Sequence, residues 1–213
     1  MPVRISAATH TGAVRHRNED YYDATDLRCS SVDGEVVSVV VTDGPCFAVV
    51  ADGLGGQPSG EVASRMAVEH LIEANPADPG ALIKAFHATN EAIYDAMSRD
   101  RGSVEMGTTA AAALLSVDGI AVVNVGDSAV FEYTDGRLVQ LSTDDVPARG
   151  GQLPGLPSSV VTQTLGGRRK LAAIEPHLYS DDSGLPRRVL LCTDGLTNFV
   201  TRDRIADALR DSS

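Results

Sequence analysis

Eight short apolar runs, rich in Val, Leu and Ala and bounded largely by Gly or Asp-Gly, dominate the sequence: Glu35 to Thr42, Cys46 to Ala51, Thr108 to Ser116, Ile120 to Val125, Val130 to Tyr133, Arg137 to Leu141, Val160 to Leu165 and Arg188 to Thr193. Runs this short suit strands, and an Asp-Gly pair between two of them supplies the positive-φ residues of a tight hairpin turn. The pattern predicts a hairpin-rich antiparallel protein. Two helical segments interrupt it early. The first, from about Gly60 to Ala74, places Ala63, Met66, Ala67, His70, Leu71 and Ala74 on one face. The second starts where Asp78 can cap and Pro79 can occupy the first turn; Ile83, Phe86, Asn90, Ile93 and Met97 follow at spacings of three and four. Each stripe needs a sheet to cover. A shorter helix is expected from about Arg202 to Leu209. Helices grouped between strands, rather than alternating with them, imply an α+β layered fold and not a parallel βαβ sheet. The stretch Asp144 to Ser159, with three prolines, three glycines and no period, reads as a surface loop.

A chain of 213 residues suits one domain with one core, 1–213. Hydrophobic residues make up 43% and charged residues 22%, the balance of a globular protein. A net charge of −11 opposes the phosphate backbone, which makes nucleic acid a poor candidate partner, and none is expected. Cys29, Cys46 and Cys192 are widely spaced and form no metal or redox pair, which fits a reducing, cytoplasmic setting. The N-terminus lacks an uninterrupted apolar core, and no run approaches the roughly 18 apolar residues of a membrane span.

Asp-Gly occurs six times, at Asp33, Asp43, Asp52, Asp118, Asp135 and Asp194. Asp33, Asp43, Asp118 and Asp135 fit hairpin turns. Asp52 and Asp194 differ, because each ends an apolar run and is followed by Gly-Leu with no second strand. An Asp there sets a carboxylate at the rim of the core, and the glycine lets backbone carbonyls approach a ligand. Near the N-terminus Arg15, Asn18, Glu19 and Asp20 gather a guanidinium and two carboxylates within six residues; by themselves they read as a charged loop. Asp127 follows another apolar run and by itself reads as a turn residue.

Taken in order, Val14-Arg15-His16-Arg17-Asn18-Glu19-Asp20, Val50-Ala51-Asp52-Gly53-Leu54-Gly55-Gly56 with Gly60 and Ala63-Ser64, Met106-Gly107-Thr108-Thr109, Val125-Gly126-Asp127-Ser128 and Cys192-Thr193-Asp194-Gly195-Leu196-Thr197 resemble the metal-dependent Ser/Thr protein phosphatases of the PPM or type 2C kind, in their bacterial variety. The resemblance implies two stacked antiparallel sheets with helices on both outer faces. It implies that Asp52 bridges two metal ions, that the Gly53 carbonyl adds a ligand, that Asp194 binds directly, and that Glu19 and Asp20 hold metal partly through water. Asp127 matches a ligand of a third, weaker ion, and Arg15 the residue that grips the substrate phosphate. All-oxygen ligands select hard cations, so Mn²⁺ or Mg²⁺ is expected. The implied reaction is hydrolysis of phosphoserine and phosphothreonine in proteins, substrates of a Ser/Thr kinase, by attack of a metal-bridging hydroxide.

The chain departs from the family pattern in several places. No Gly-x-Asp-Asn segment and final strand follow the Asp194 block, so one metal ligand of the family is unmatched and a sheet edge is expected to lack its partner. Asn198 stands where an acid is common, Ala129 where an Arg is usual, and Leu54 where many eukaryotic relatives carry a His. Two other readings remain open at this point: a phosphatase-like module that binds a phosphoprotein without turning it over, and a structural domain whose Asp-Gly pairs are all turns.

Overall fold

The computed structural model describes residues 2–55, 59–99, 106–147, 160–184 and 187–211. Its strands are β1 (Val3–Ala7), β2 (Asp20–Ala24), β3 (Val37–Val41), β4 (Cys46–Leu54), β5 (Gly107–Thr108), β6 (Ala110–Leu115), β7 (Ile120–Val125), β8 (Ala129–Thr134), β9 (Arg137–Gln140), β10 (Leu165–Gly166), β11 (His177–Asp181) and β12 (Arg188–Cys192). The helices are α1 (Ser59–Ala74), α2 (Pro79–Arg99), α3 (Asp194–Thr197) and α4 (Arg202–Asp211). Among the described residues every strand pairing is antiparallel. The large sheet runs β10-β5-β4-β6-β7-β11, with β2 also on β4; β1-β3 and β12-β8-β9 form two smaller sheets. The expected α+β sandwich is present.

Strand β4 shows how the layers arise. Side chains alternate across a strand, so Phe47, Val49 and Ala51 join Ala110, Ala112, Val123 and Val125 under the helices, where they meet Leu71, Phe86 and Ile93. On the opposite face Val50 joins Ala111, Ala113, Val122 and Val130 between the sheets, and Ala48 and Val50 also meet Tyr22, Ile5 and Val39 beside β1 and β3. Helix α4 lies beyond the second layer: Ile205 and Ala206 are buried, and the Arg202 guanidinium sits 5.0 Å over the Phe131 ring. Helices therefore cover both outer faces.

Asp78 caps α2 as expected, its Oδ1 accepting from Ala81 N at 2.8 Å, and Phe86, Asn90, Ile93 and Met97 are buried. Helix α1 is rotated from the expected face. It buries Gly60, Ala63, Ser64, Ala67, Val68 and Leu71, whereas His70 and Ala74 are exposed. Small residues let this helix approach β4 closely, which excludes the bulkier His.

Two of the four expected hairpins form. Asp118-Gly119 joins β6 to β7, and Asp135-Gly136, with φ of 49° and 75°, joins β8 to β9. Asp33 and Asp43 do not make hairpins, because β3 pairs with β1 and neither with β2 nor with β4. Asp33 instead accepts from Thr11 N at 2.7 Å and ties together the segments flanking the β1-β3 pair. Of the run Val160 to Leu165 only Leu165 is strand. Thr162 N and the Gln163 side chain are both donated to Asp145, which makes that segment a brace and not part of a ladder. The 144–159 loop is described only to residue 147; the rest, and Gly56, lie outside the described residues.

Candidate metal centre

One end of the sandwich collects the acidic residues. Asp52 continues the face of β4 that carries Ala48 and Val50, so its side chain projects at the mouth between the sheets. Its cross-strand partner is Asp20, the first residue of β2, and directly paired residues share a face. Asp127 occupies the turn from β7 to β8, and Asp194 follows β12 by two residues at the start of α3. Because β12 pairs with β8 through Cys192 and Ala129, those two ends are side by side.

The carboxylates feel one another. Burial, and then the charges of Asp20, Asp194 and Asp127, push the Asp52 carboxyl up to about 8. Asp20, paired in register with Asp52, is the strongest of those charges on it. Burial first, and then the charges of Asp194 and of Asp144 and Asp145, raise Asp127 to about 6. Asp20 is raised by burial and by Asp194 and Glu19, against a bond from Thr193 that favours its charged form. Shifts of this kind, in several groups with a common cause, cluster at functional sites.

Two of the carboxylates, and the backbone of a third, are held from behind. Thr193 Oγ1 donates to Asp20 Oδ2 at 2.8 Å. Thr193 is the N-cap of α3 yet makes no side-chain capping bond, because its hydroxyl is spent on Asp20. Asn198 Nδ2 donates to Asp194 Oδ2 at 2.9 Å, so the amide that replaces an acid there orients its neighbour. The Asp52 backbone is fixed by Thr108 Oγ1 and Thr109 N, which both donate to its carbonyl at 2.8 and 2.9 Å. Asp52 N donates to Thr109 Oγ1 at 3.2 Å, and Thr109 Oγ1 meets Ser128 Oγ at 2.7 Å, next to Asp127.

Gly53 is obligatory for a packing reason. A Cβ there would stand 2.1 Å from the Gly60 carbonyl oxygen and 2.8 Å from that of Glu19. The same Glu19 carbonyl accepts from Gly53 N at 3.1 Å and from Ser64 Oγ at 2.5 Å, which seats the β2 entrance against β4 and α1. The Glu19 side chain is mostly buried, whereas Arg15 is 77% exposed and only 3.8 Å from it, a loose pairing that leaves the guanidinium free to turn. Among the described residues no three His, Cys, Asp or Glu side chains are gathered tightly enough to hold an ion unaided. An ion here would take the rest of its shell from backbone oxygen and water, which Mg²⁺ and Mn²⁺ accept readily.

A family model described as protein phosphatase 2C matches residues 33–213. The chain belongs to the protein phosphatase 2C family. Among its relatives, the serine/threonine protein phosphatase PstP of Mycobacterium tuberculosis is 28% identical over 227 residues, covering 99% of this chain and 39% of the relative. The chain thus spans about two fifths of that protein's length. The serine/threonine phosphatase stp of Listeria monocytogenes is 27% identical, covering 95% and 81% of the two chains. The crystal structure of M. tuberculosis PstP superposes with a TM-score of 0.77 at 27% identity, over 99% of this chain and 86% of that one. A structure of the PstP catalytic domain in complex with two manganese ions gives 0.75 at 27% identity, over 98% and 84%.

In this phosphatase 2C chain the sequence motifs led to Asp52, Gly53, Glu19, Asp20, Asp127, Asp194 and Arg15, and the fold brings those segments to one end of the sandwich. They did not lead to Thr193 as the partner of Asp20, to the Thr109 and Ser128 hydroxyl pair, or to Asp145. The Oδ1 of Asp145 lies 2.8 Å from His177 Nε2, and its Oδ2 accepts from Gly126 N at 2.8 Å. His177 read as a surface or packed residue, and nothing in a separation of 32 residues announces such a pair.

Proposed function

We propose that residues 1–213 act as one phosphatase domain that hydrolyses phosphoserine and phosphothreonine esters in cytoplasmic proteins, the substrates of a Ser/Thr kinase. The reaction depends on two Mn²⁺ or Mg²⁺ ions, with a third held more weakly at Asp127. The observation that carries this reading is the convergence of Asp20, Asp52, Asp127 and Asp194, from four separate segments, into a site where burial and mutual repulsion hold Asp52 near 8. A rigid group of like charges is relieved by a cation, and an all-oxygen donor set suits a hard one.

Asp52, the Gly53 carbonyl and Asp194 would hold the pair of ions directly, with Glu19 and Asp20 adding carboxylates partly through water. The ions would supply an acidified water as nucleophile and a positive field over the phosphoryl oxygens. The chain's own residues do the rest. Arg15, exposed and loosely parked on Glu19, can turn to take two phosphoryl oxygens in a bidentate pair and align the ester. Thr193 and Asn198 fix the carboxylates of Asp20 and Asp194, so that the site does not have to be ordered anew for each substrate. Inorganic phosphate and a free hydroxyl leave.

The test is Mn²⁺-dependent hydrolysis of an aryl phosphate and of a phosphothreonine peptide, compared with Asp52→Asn. The proposal expects turnover that needs the metal and falls by at least about 100-fold in the variant. Folded protein that binds Mn²⁺ and the phosphopeptide yet turns over neither substrate is a binding module instead. Folded protein that binds no Mn²⁺ ends the proposal.

A further inference from the structure

Asp145 lies outside every motif that pointed to the site, yet its carboxylate is only 12% exposed and each oxygen is engaged. Oδ2 accepts from Gly126 N at 2.8 Å and from Gln163 Nε2 at 2.9 Å, and Oδ1 lies 2.8 Å from His177 Nε2. The backbone of Asp145 joins in, its N donating to the Gly126 carbonyl at 3.0 Å and its carbonyl accepting from Thr162 N at 2.7 Å. Residue 145 therefore grips Gly126 at both its N–H and its carbonyl. The brace is itself backed: Gln163 Oε1 accepts from Glu175 N at 2.6 Å, Gln163 Nε2 donates also to the Glu175 carbonyl at 3.1 Å, and His177 opens β11.

The gripped residue immediately precedes Asp127. Gly126 has φ of +98°, and a Cβ there would stand 2.6 Å from Thr109 Cβ, so the turn has little room to relax. On the other side of Asp127, Ser128 is buried and its hydroxyl meets Thr109. Asp127 is thus fixed between two clamps, one of which reaches Asp52 through Thr109. Removing a partner that holds a metal ligand in place typically costs about 10- to 100-fold in metal affinity.

We propose that Asp145, braced by His177 and Gln163, is a positioning residue that aims the Asp127 carboxylate at the metal centre. It is neither a ligand nor a group that touches the substrate. This rests on the reading of Asp127 as a ligand, and it makes a prediction that separates geometry from charge. In Asp145→Asn an amide oxygen still accepts from Gly126 and Gln163, and the amide N–H can donate to His177 once the ring adopts the other tautomer. The clamp survives while the charge is lost.

The experiment titrates Mn²⁺ into the full chain without substrate, following free Mn²⁺ by electron paramagnetic resonance, with thermal unfolding measured on each variant. Asp145→Ala is expected to weaken one class of bound Mn²⁺ by about 10-fold or more, and Asp145→Asn to stay within about 3-fold of the unaltered protein. Asp127→Ala should abolish that same class, and adding Asp145→Ala to it should change nothing further. If Asp145→Asn is as weak as Asp145→Ala, the carboxylate acts by charge or ligation and the inference fails. If Asp145→Ala leaves the isotherm unchanged, or weakens every class together with a fall in unfolding temperature, it also fails. An isotherm sensitive to Asp127→Ala but not to Asp145→Ala overturns this inference alone. Insensitivity to Asp127→Ala overturns the ligand reading beneath it.

Discussion

Replacing Asp52 by Asn should stabilise the metal-free protein at neutral pH while removing its response to Mn²⁺. Burial and three neighbouring acids raise the Asp52 carboxyl to about 8 from an ordinary value of 3.8. The folded chain binds that proton more tightly than the unfolded chain. The stabilising effect is complete below about pH 4, declines as pH rises, and is gone once the folded group ionises near 8. At about 1.4 kcal/mol per pH unit, raising the pH from 5 to 7 removes roughly 2 to 3 kcal/mol through this group, part of it shared with Asp20. Asn carries the hydrogen-bonding amide without the titration. Urea unfolding in EDTA at pH 5 and pH 7 checks this: the unaltered chain should lose roughly 2 kcal/mol more than Asp52→Asn between the two conditions. Saturating Mn²⁺ should then stabilise only the unaltered chain. Equal pH dependence in both proteins, or a less stable Asp52→Asn in EDTA at pH 7, would refute the claim that repulsion is built into the site.

Three further outcomes follow from single contacts. Arg15 is 77% exposed, so Arg15→Ala should leave the unfolding temperature unchanged while lowering kcat/KM for a phosphopeptide by about 100-fold; Arg15→Lys should recover little, because an ammonium cannot match two phosphoryl oxygens at once. Gly53→Ala forces a methyl to 2.1 Å from the backbone oxygen of Gly60, which no side-chain rotation can relieve; a destabilisation of about 3 kcal/mol or more is expected in urea unfolding, and a neutral result would show that α1 can retreat from β4. Thr193→Val removes the 2.8 Å bond that favours ionised Asp20, so Mn²⁺ affinity should drop by about 10-fold and its onset should move to higher pH in a titration series.

What the sequence disclosed, and what it hid, divides along physical lines. An apolar run that ends in Asp-Gly and leads to no second strand was enough to separate Asp52 and Asp194 from Asp118 and Asp135, because a hairpin needs strand on both sides of its turn. Asp43 shows the limit of that rule. It has strand on both sides, but β3 and β4 belong to different sheets, and pairing is a tertiary choice that local residues do not encode. Strands β1, β2 and β11 left no clear signal in the sequence, because each is a five-residue strand that pairs with a single neighbour and mixes polar with apolar residues. The rotation of α1 was hidden for the opposite reason: Gly60, Ala63 and Ser64 carry a weak hydrophobic signal, yet small residues are what a close helix-to-strand contact selects. The hydroxyl and carboxylate partners, Thr193 to Asp20 and Asp145 to His177, join residues 173 and 32 positions apart and leave no periodic trace.

The same supports explain why the acidic cluster does not relax. Carboxylates on mobile loops would relieve their repulsion by turning into solvent, at the cost of about one rotamer each. Here Asp20 is tied to Thr193 and paired in register with Asp52, Asp194 is tied to Asn198, and the turn carrying Asp127 is clamped at Gly126 and Ser128. Two ways remain to lower the energy: take up a proton, as Asp52 does, or admit a cation. The two compete for the same oxygens, so metal binding at neutral pH must expel protons, and the affinity must weaken as pH falls from about 8 toward 6. A clamped acidic mouth of this kind favours a small, hard cation by charge alone, before any substrate arrives.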